Sequence, residues 1–525
     1  MARYRVGIDV GSTNTDVAIV DENGRPFYTA KVATTPDVTT GIISALEKAV
    51  RESGVPPDDI VAVMYGTTHA LNAIITRRGL YRVGVIRIGL PATTSIEPML
   101  DWPPDLRKAV GDTYFLVRGG FEYTGEEISS LDEESIRRAA EIFKEKGVES
   151  VAIIGVFSPV RPDHEARAAE IVREVMGEEV PVSLSASIGS IGLLERENAT
   201  ILNSAIIGVM RRSISAVRDT MDRLGLGSAR LYLAQNDGTI ISAEMAEKYP
   251  IFTVAAAVSN SVRGAYVLTG IRDAIVVDTG GTTTNIGVLE KGFPRESSSP
   301  VVLGGVRTSF MMPDFVSIGV AGGSIVKAKN GEVTVGPESV GYELVRKGIA
   351  WGGDTITATD VALALNRMRI DDPSCNPERA AQKIPRELAE RAYQYIVNAV
   401  EEGIDRIKTK PEPLPVILVG GGSAMLPRKL KGASEVIRPE GAQSANAIGA
   451  ATALIGATVE KTYSYEQVER SKALDDAKSE AKKRAIESGA DPSTVEIAFV
   501  EEVSMPYLPG NVVKVRVKAV GRARI

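Results

Sequence analysis

One stretch of this sequence occurs twice, and the repetition limits what the chain can fold into. Near the N-terminus it reads Val6-Gly-Ile-Asp-Val-Gly-Ser-Thr-Asn-Thr-Asp-Val-Ala-Ile-Val20, and it returns as Ile275-Val-Val-Asp-Thr-Gly-Gly-Thr-Thr-Thr-Asn-Ile-Gly-Val-Leu289. Aligned, Asp9 falls on Asp278, Gly11 on Gly280, Thr13 on Thr282 and Thr15 on Thr284. Each copy predicts a buried strand, an acid, a tight turn of glycine and hydroxyls, and a second strand. Glycine lets backbone N–H groups and hydroxyls close on a phosphate with no Cβ in the way, and the acid can hold a metal directly or through water. A single such hairpin also arises at ordinary β-turns. Two copies about one domain apart predict a nucleotide gripped from both sides of a cleft.

With a third strand running into glycines, Val416-Ile-Leu-Val-Gly-Gly-Gly-Ser-Ala424, the chain resembles the actin, sugar-kinase and Hsp70 ATPase superfamily. That resemblance implies an α/β fold of two ribonuclease H-like domains clamping ATP and a divalent metal, with the glycine turn at the adenosine. The chain is more specifically similar to the hydantoinase A/oxoprolinase family. The similarity rests on the opening hairpin, Tyr65-Gly-Thr-Thr-His-Ala-Leu-Asn72, Glu195-Arg-Glu-Asn-Ala-Thr-Ile-Leu-Asn203, Gln235-Asn-Asp-Gly238, the second hairpin, Val320-Ala-Gly-Gly-Ser-Ile325 and Val335-Gly-Pro-Glu-Ser339, in that order. It implies domains at 1–188, with an insertion near 90–125, and at 189–458, followed by a small α+β appendage at 459–525. Asn14 stands where the family pattern has Phe and Asn285 where it has Asp, and the chain is shorter than full members at its C-terminal end.

Composition frames the partners. With 44% apolar and 24% charged residues the chain can bury several cores, and a net charge of −6 with both signs interspersed offers no footprint for nucleic acid or an anionic membrane. A single cysteine, Cys375, excludes intrachain disulfides, Cys-based zinc sites and an iron–sulfur cluster held within one chain. The absence of a signal-like N-terminus or a long apolar run predicts a cytoplasmic location.

Several other positions carry two readings each. His69, directly after a strand end and Gly-Thr-Thr, is a catalytic candidate or a capping residue. Residues 90–125, with Trp102, Tyr114, Phe121 and Tyr123, form an insertion packed on its own aromatics or a substrate wall, the former preferred. His164 is expected in solvent at the start of a helix; the charges at Glu195 and Arg196 suit a helix N-terminus, while the family resemblance implies that one of the two enters the cleft. Residues 259–264 open a helix whose hydroxyls hold an anion or only cap it. The turn at Gly322 and Gly323 either approaches phosphate or only turns. Ala442 to Ile455 reads as a small-residue helix packed closely on its neighbours, and the tail as a charged helix and two strands.

The chemistry expected of such a cleft is phosphoryl transfer or ATP hydrolysis. Asp9 and Asp278 are assigned to Mg²⁺. Gly11, Ser12, Thr13, Thr15, Gly280, Gly281, Thr282 and Thr283, with Gly322 and Gly323, are assigned to phosphates, and Gly420, Gly421 and Gly422 to adenosine. Asp16 is a general base or substrate contact, or else a turn carboxylate. The family resemblance implies ATP-dependent opening of a small cyclic amide, in which phosphorylation of the carbonyl oxygen creates a leaving group before water attacks. It also implies a second, B-type hydantoinase subunit for the hydrolytic half, and a homo-oligomer is compatible with it. A small-metabolite kinase and a non-enzymatic ATP-driven switch or assembly protein share the same nucleotide elements.

Overall fold

The structure is a computed structural model that describes residues 3–11, 14–34, 38–297 and 300–524. In chain order the first strands are β1 (Tyr4–Val10), β2 (Asn14–Val20), β3 (Pro26–Ala33), β4 (Ile60–Gly66), β5 (Val83–Leu90), β6 (Tyr114–Arg118), β7 (Ser150–Gly155), β8 (Val182–Leu184), β9 (Arg230–Ala234) and β10 (Ile240–Ser242). There follow β11 (Ala274–Thr279), β12 (Thr284–Glu290), β13 (Phe293–Pro294), β14 (Val301–Leu303), β15 (Val306–Thr308), β16 (Phe315–Ile318), β17 (Ser324–Lys329) and β18 (Glu332–Ser339). The last are β19 (Leu414–Val419), β20 (Ala433–Ile437), β21 (Ile455–Ser464), β22 (Glu496–Ser504) and β23 (Val512–Gly521).

The duplication in sequence is a duplication in topology. In the nine-stranded sheet the run β3-β2-β1-β4-β9 has an antiparallel hairpin pair on one side of β1 and two parallel strands on the other. In the six-stranded sheet β12 is antiparallel to β11, β19 and β20 are parallel to it, and the place next to β12 is shared by β13 and β16. Both are the 3-2-1-4-5 order of a ribonuclease H-like unit, so the chain has the two-unit fold of the actin-like ATPases. Each central strand is covered on both faces: in β1 Val6, Ile8 and Val10 point into one core while Gly7 on the other face meets Ala447 and Ala451, and in β11 Ile275 and Val277 point one way and Val276 the other, all of these apolar side chains essentially inaccessible.

Strand pairing carries the first sheet past residue 188, where the sequence placed a boundary. β9 and β10, which follow the long helix Leu193–Arg223, belong to the same sheet as β1, and β21, β23 and β22 continue it beyond β10. The described part of the tail, 459–524, is α+β in content, with helix Arg470–Glu487 packed on β23 and β21, and it extends the first sheet's edge. Lys518 on β23 is fully buried, with its ammonium 2.8 Å from Asp237 Oδ2 in the turn between β9 and β10.

The small-residue segment is shorter than its composition suggests. The helix runs Ala445–Thr452, and Ile455 already opens β21. Its bareness is required: a Cβ on Gly7 of β1 would lie 2.1 Å from Ala447 O, one on Gly449 2.1 Å from Asn260 O, and one on Gly264 1.9 Å from Ala445 O. The helix is thus clamped between β1 and helix Ala256–Thr269.

Residues 83–184 supply a separate four-stranded parallel sheet, β6-β5-β7-β8. Two of its aromatics are buried, Phe121 and Trp102, whose Nε1 donates to Asn198 Oδ1 at 2.7 Å and whose ring packs on the core of the first unit, while Tyr114 and Tyr123 are half-buried. His164, expected in solvent, is buried instead, because its Nδ1 accepts the Gly120 N–H at 3.0 Å and its ring lies 4.3 Å from that of Phe121. Arg196 is fully buried too, donating to the carbonyls of Gly155, Ser190 and Ile191, beside a bidentate Arg87–Glu197 pair. Arg196 and Glu197 therefore lock helix Leu193–Arg223 to the four-stranded sheet.

Candidate functional site

The site is built from two matching rows of residues across the two sheets. On β1, Asp9 lies opposite Gly66 of β4 on one side and Asp16 of β2 on the other, and Asp16 in turn lies opposite Lys31 of β3. On β11, Asp278 lies opposite Val419 of β19 and Asn285 of β12, and Asn285 opposite Ser317 of β16. The first row reads Gly, Asp, Asp, Lys and the second Val, Asp, Asn, Ser. Asp9, Asp16, Lys31, Asp278, Asn285 and Ser317 all line one cleft of about 1110 Å³. In each half a glycine at the end of the neighbouring parallel strand makes room for the acid. A Cβ on Gly66 would sit 2.6 Å from Asp9 Oδ1, and one on Gly420 2.3 Å from Asp278 Oδ1.

Helix Ala256–Thr269 ties the two acids together. Its adjacent residues Asn260 and Ser261 reach one acid each: Asn260 Nδ2 donates to Asp9 Oδ1 at 2.8 Å, and Ser261 Oγ to Asp278 Oδ2 at 2.5 Å. Asn446, on the clamped helix, donates to Asp9 Oδ2 at 3.2 Å. Burial pushes the Asp9 carboxyl up to about 6; the two asparagine amides oppose this, and the carboxylates of Asp16 and Asp278 add to it. Burial also raises Asp278, against hydrogen bonds from Ser261 and Asn446. Asp16 is raised by burial and held back by Lys31, whose ammonium donates to it and, at 2.8 Å, to Gln443 O.

The two loops share one turn: Gly11 N–H donates to Asn14 O, and Gly280 N–H to Thr283 O, each at 3.0 Å. Gly11, Asn14, Gly280, Gly281, Thr283, Gly322 and Gly420 to Gly422 line the cleft. Ser12 and Thr13, assigned to phosphate from the sequence, lie outside the described residues. Thr15 is buried against Thr34, their hydroxyls 3.2 Å apart, and neither it nor Thr282 lines the cleft. Gly322 and Gly323 direct their N–H groups to the carbonyls of Gly280 (3.1 Å) and Gly281 (2.7 Å), so that turn braces the second loop. His69 opens helix His69–Thr76 outside the cleft lining, with Thr67 Oγ1 2.6 Å from its Nδ1 and Thr39 Oγ1 3.0 Å from its Nε2. No residue of 90–125 lines the cleft either.

Lys31, Asn260, Ser261 and Asn446 are the side chains that meet the acids, and the motifs did not single them out for that. Residues 259–264 were read as a helix start, but the helix begins at Ala256, which turns Asn260 and Ser261 toward the two carboxylates. Among the described residues no three acidic, histidine or cysteine side chains form a metal cage by themselves. Asp9 and Asp278 instead offer oxygen ligands, from opposite sheets, whose mutual repulsion and burial leave a deficit of positive charge. That donor set suits a hard cation that keeps several waters and shares its remaining places with phosphate oxygens, as Mg²⁺ does.

Residues 5–176 match the family described as "Hydantoinase/oxoprolinase N-terminal region", and residues 196–459 the one described as "Hydantoinase/oxoprolinase". Among characterised proteins, the caprolactamase subunit alpha of Pseudomonas jessenii is 28% identical over 469 residues, covering 80% of this chain and 65% of that protein. The acetophenone carboxylase gamma subunit of Aromatoleum aromaticum is 26% identical over 490 residues, covering 81% and 64%. The chain thus spans just under two thirds of the length of these relatives. In structure it is similar to the ATP-dependent caprolactamase of Pseudomonas jessenii, with a TM-score of 0.76 at 20% identity over 99% of this chain and 88% of that one. It is also similar to nucleotide-free acetone carboxylase, with a TM-score of 0.68 at 17% identity over 100% and 88%. At these identities the similarity in structure speaks to the fold. Among the described residues no helix is long and apolar enough to cross a membrane.

Proposed function

We propose an ATP-dependent, kinase-like activation of a carbonyl oxygen as the reaction of this chain, which belongs to the hydantoinase/oxoprolinase family. The observation that carries the reading is the pair of acid rows facing one cleft, each acid beside a glycine turn able to admit phosphate. Gly11, Gly280, Gly281 and Thr283 would approach the phosphates, Gly420 to Gly422 the adenosine, and Asp9 and Asp278 would hold Mg²⁺, directly or through water. The metal would neutralise charge shared between phosphate groups and draw electrons from the phosphorus under attack. Lys31 and Asp16 stand at the end of the first row, where the acceptor carbonyl would meet the γ-phosphate. The carbonyl oxygen attacks the γ-phosphorus, the bond to the β–γ bridging oxygen breaks, and ADP leaves with that electron pair.

A lactam carbonyl is a poor electrophile, and phosphorylating its oxygen makes the carbon a good one. Relatives named caprolactamase, 5-oxoprolinase and acetophenone carboxylase act on carbonyl compounds. Several are named as subunits, which supports a second, B-type polypeptide for the step after activation. The test is nucleotide turnover by the purified chain with Mg²⁺ across cyclic amides and ketones. Turnover stimulated by such a compound supports the reading, and ATP-independent conversion of the same compound refutes it.

A further inference from the structure

The cleft has two apolar ends with the acids between them. At one end Met368 and Ile370 pack on the core of the second unit, the core that also holds Met425 and Leu426 just after the Gly420 to Gly422 turn. At the other end Leu71, Val254, Leu303, Met312 and Phe315 line the cleft and pack on the core of the first unit. These five come from separate places: helix His69–Thr76, the approach to helix Ala256–Thr269, the end of β14, the start of β16, and Met312 three residues before that start. A wall assembled from so many elements and left open to a cleft is the usual form of a pocket for a small apolar ligand.

We propose that this first-unit end is the acceptor pocket and that it takes an uncharged carbonyl compound with an apolar body, a lactam or ketone without a carboxylate. The assignment rests on the carbonyl-activation reading above and adds the class of acceptor. Its basis is the charge around the wall as well as the wall itself. Among the described residues the cleft is lined by two cations, Lys31 and Arg369. Lys31 is engaged by Asp16 and by Gln443 O. Arg369 stands between Met368 and Ile370, on the nucleotide end. Against them stand the carboxylates of Asp9, Asp16, Asp278 and Asp371, and Asp314 paired with Arg295. A substrate carboxylate placed against Leu71, Met312 and Phe315 would lose its water without gaining a cation, and burying an unpaired charge is heavily disfavoured. An apolar ring there keeps its carbonyl free to turn toward the acid rows.

The experiment is calorimetric binding of ε-caprolactam, acetophenone and 5-oxoproline to the whole chain saturated with Mg²⁺ and a non-hydrolysable ATP analogue. The expected result is binding of ε-caprolactam or acetophenone at least tenfold tighter than 5-oxoproline, and the tighter of the two tells lactam from ketone. A cation placed on the helix that borders the pocket, Leu71→Arg, is expected to weaken the preferred uncharged compound and tighten 5-oxoproline at least tenfold, with affinity for the nucleotide analogue retained as the control for folding. Phe315→Ala is expected to weaken the uncharged compound alone. Nucleotide binding without a preference for either uncharged compound, or with 5-oxoproline preferred, overturns the acceptor assignment by itself. Failure of the chain to bind the nucleotide overturns the underlying reading along with it.

Discussion

Replacing Asp9 with asparagine should make the ligand-free protein more stable while removing its function. The Asp9 carboxyl is raised from 3.8 to about 6, so the folded state holds its proton more tightly than the unfolded chain does. A group shifted in that direction opposes folding wherever the unfolded carboxyl is ionised. The penalty grows as pH rises from about 4 to about 6 and is fully present above that. Two pKa units correspond to about 3 kcal/mol. The amide in Asp9→Asn keeps one acceptor for the two donors now on the carboxylate, Asn260 and Asn446, and one lost hydrogen bond returns about 1 kcal/mol. The net gain of about 2 kcal/mol corresponds to a rise in Tm of about 4–8 °C if the first unit melts as a domain of ordinary size. Scanning calorimetry of the ligand-free protein should show this rise at pH 7.5, most of it gone at pH 5, and no further stabilisation of the variant by MgATP. An Asp9→Asn protein no more stable than the wild type at pH 7.5 would refute the claim that this acid is buried at a cost that a ligand's cation relieves.

Three other perturbations follow from the same geometry. Gly66→Ala places a Cβ 2.5 Å from Asn260 Nδ2 and 2.6 Å from Asp9 Oδ1, so MgATP affinity measured by titration should fall at least tenfold, by an amount unlike that at a surface glycine such as Gly54, which has open space around it. Lys31→Ala leaves Asp16 without its ammonium partner and should lower substrate-stimulated phosphate release by about 100-fold, the scale seen when one group stabilising a transition state's charge is removed. Lys518→Met strands the buried Asp237 carboxylate, and urea denaturation should record a loss of about 3–5 kcal/mol, most of it recovered in the double variant with Asp237→Asn.

What could be read from the sequence is what the chain encodes locally. The acid, glycine and threonine spacing of each hairpin is set within a few residues, and a hairpin's register follows from its turn, so Asp9 and Asp278 were legible. The cross-strand position of Asp16 follows from the same register. The partners of these acids come from afar. Lys31 arrives on the next strand across a loop. Asn260 is 251 residues from Asp9, and Asn446 is 437, with no local pattern to mark either. Sheet order has the same character: β9, and the tail strands beyond β10, join β1's sheet through crossovers that periodicity does not reveal. His164 shows the limit at the level of one residue. Its place in the first turn of an acidic helix suggests solvent, and what covers it, Gly120 and Phe121, comes from the loop after β6, more than 40 residues away in sequence. Alanine and glycine favour a close helix up to Thr452, but the β-branched Ile455 begins a strand because a partner strand waits there.

The central claim is that acids from two sheets hold one MgATP between them, and isothermal titration tests it most directly. MgATP should bind the wild type, and both Asp9→Ala and Asp278→Ala should each lose at least tenfold in affinity, since either row alone covers one side of the nucleotide. Unchanged MgATP affinity in both variants, or no binding by the wild type, would contradict the account.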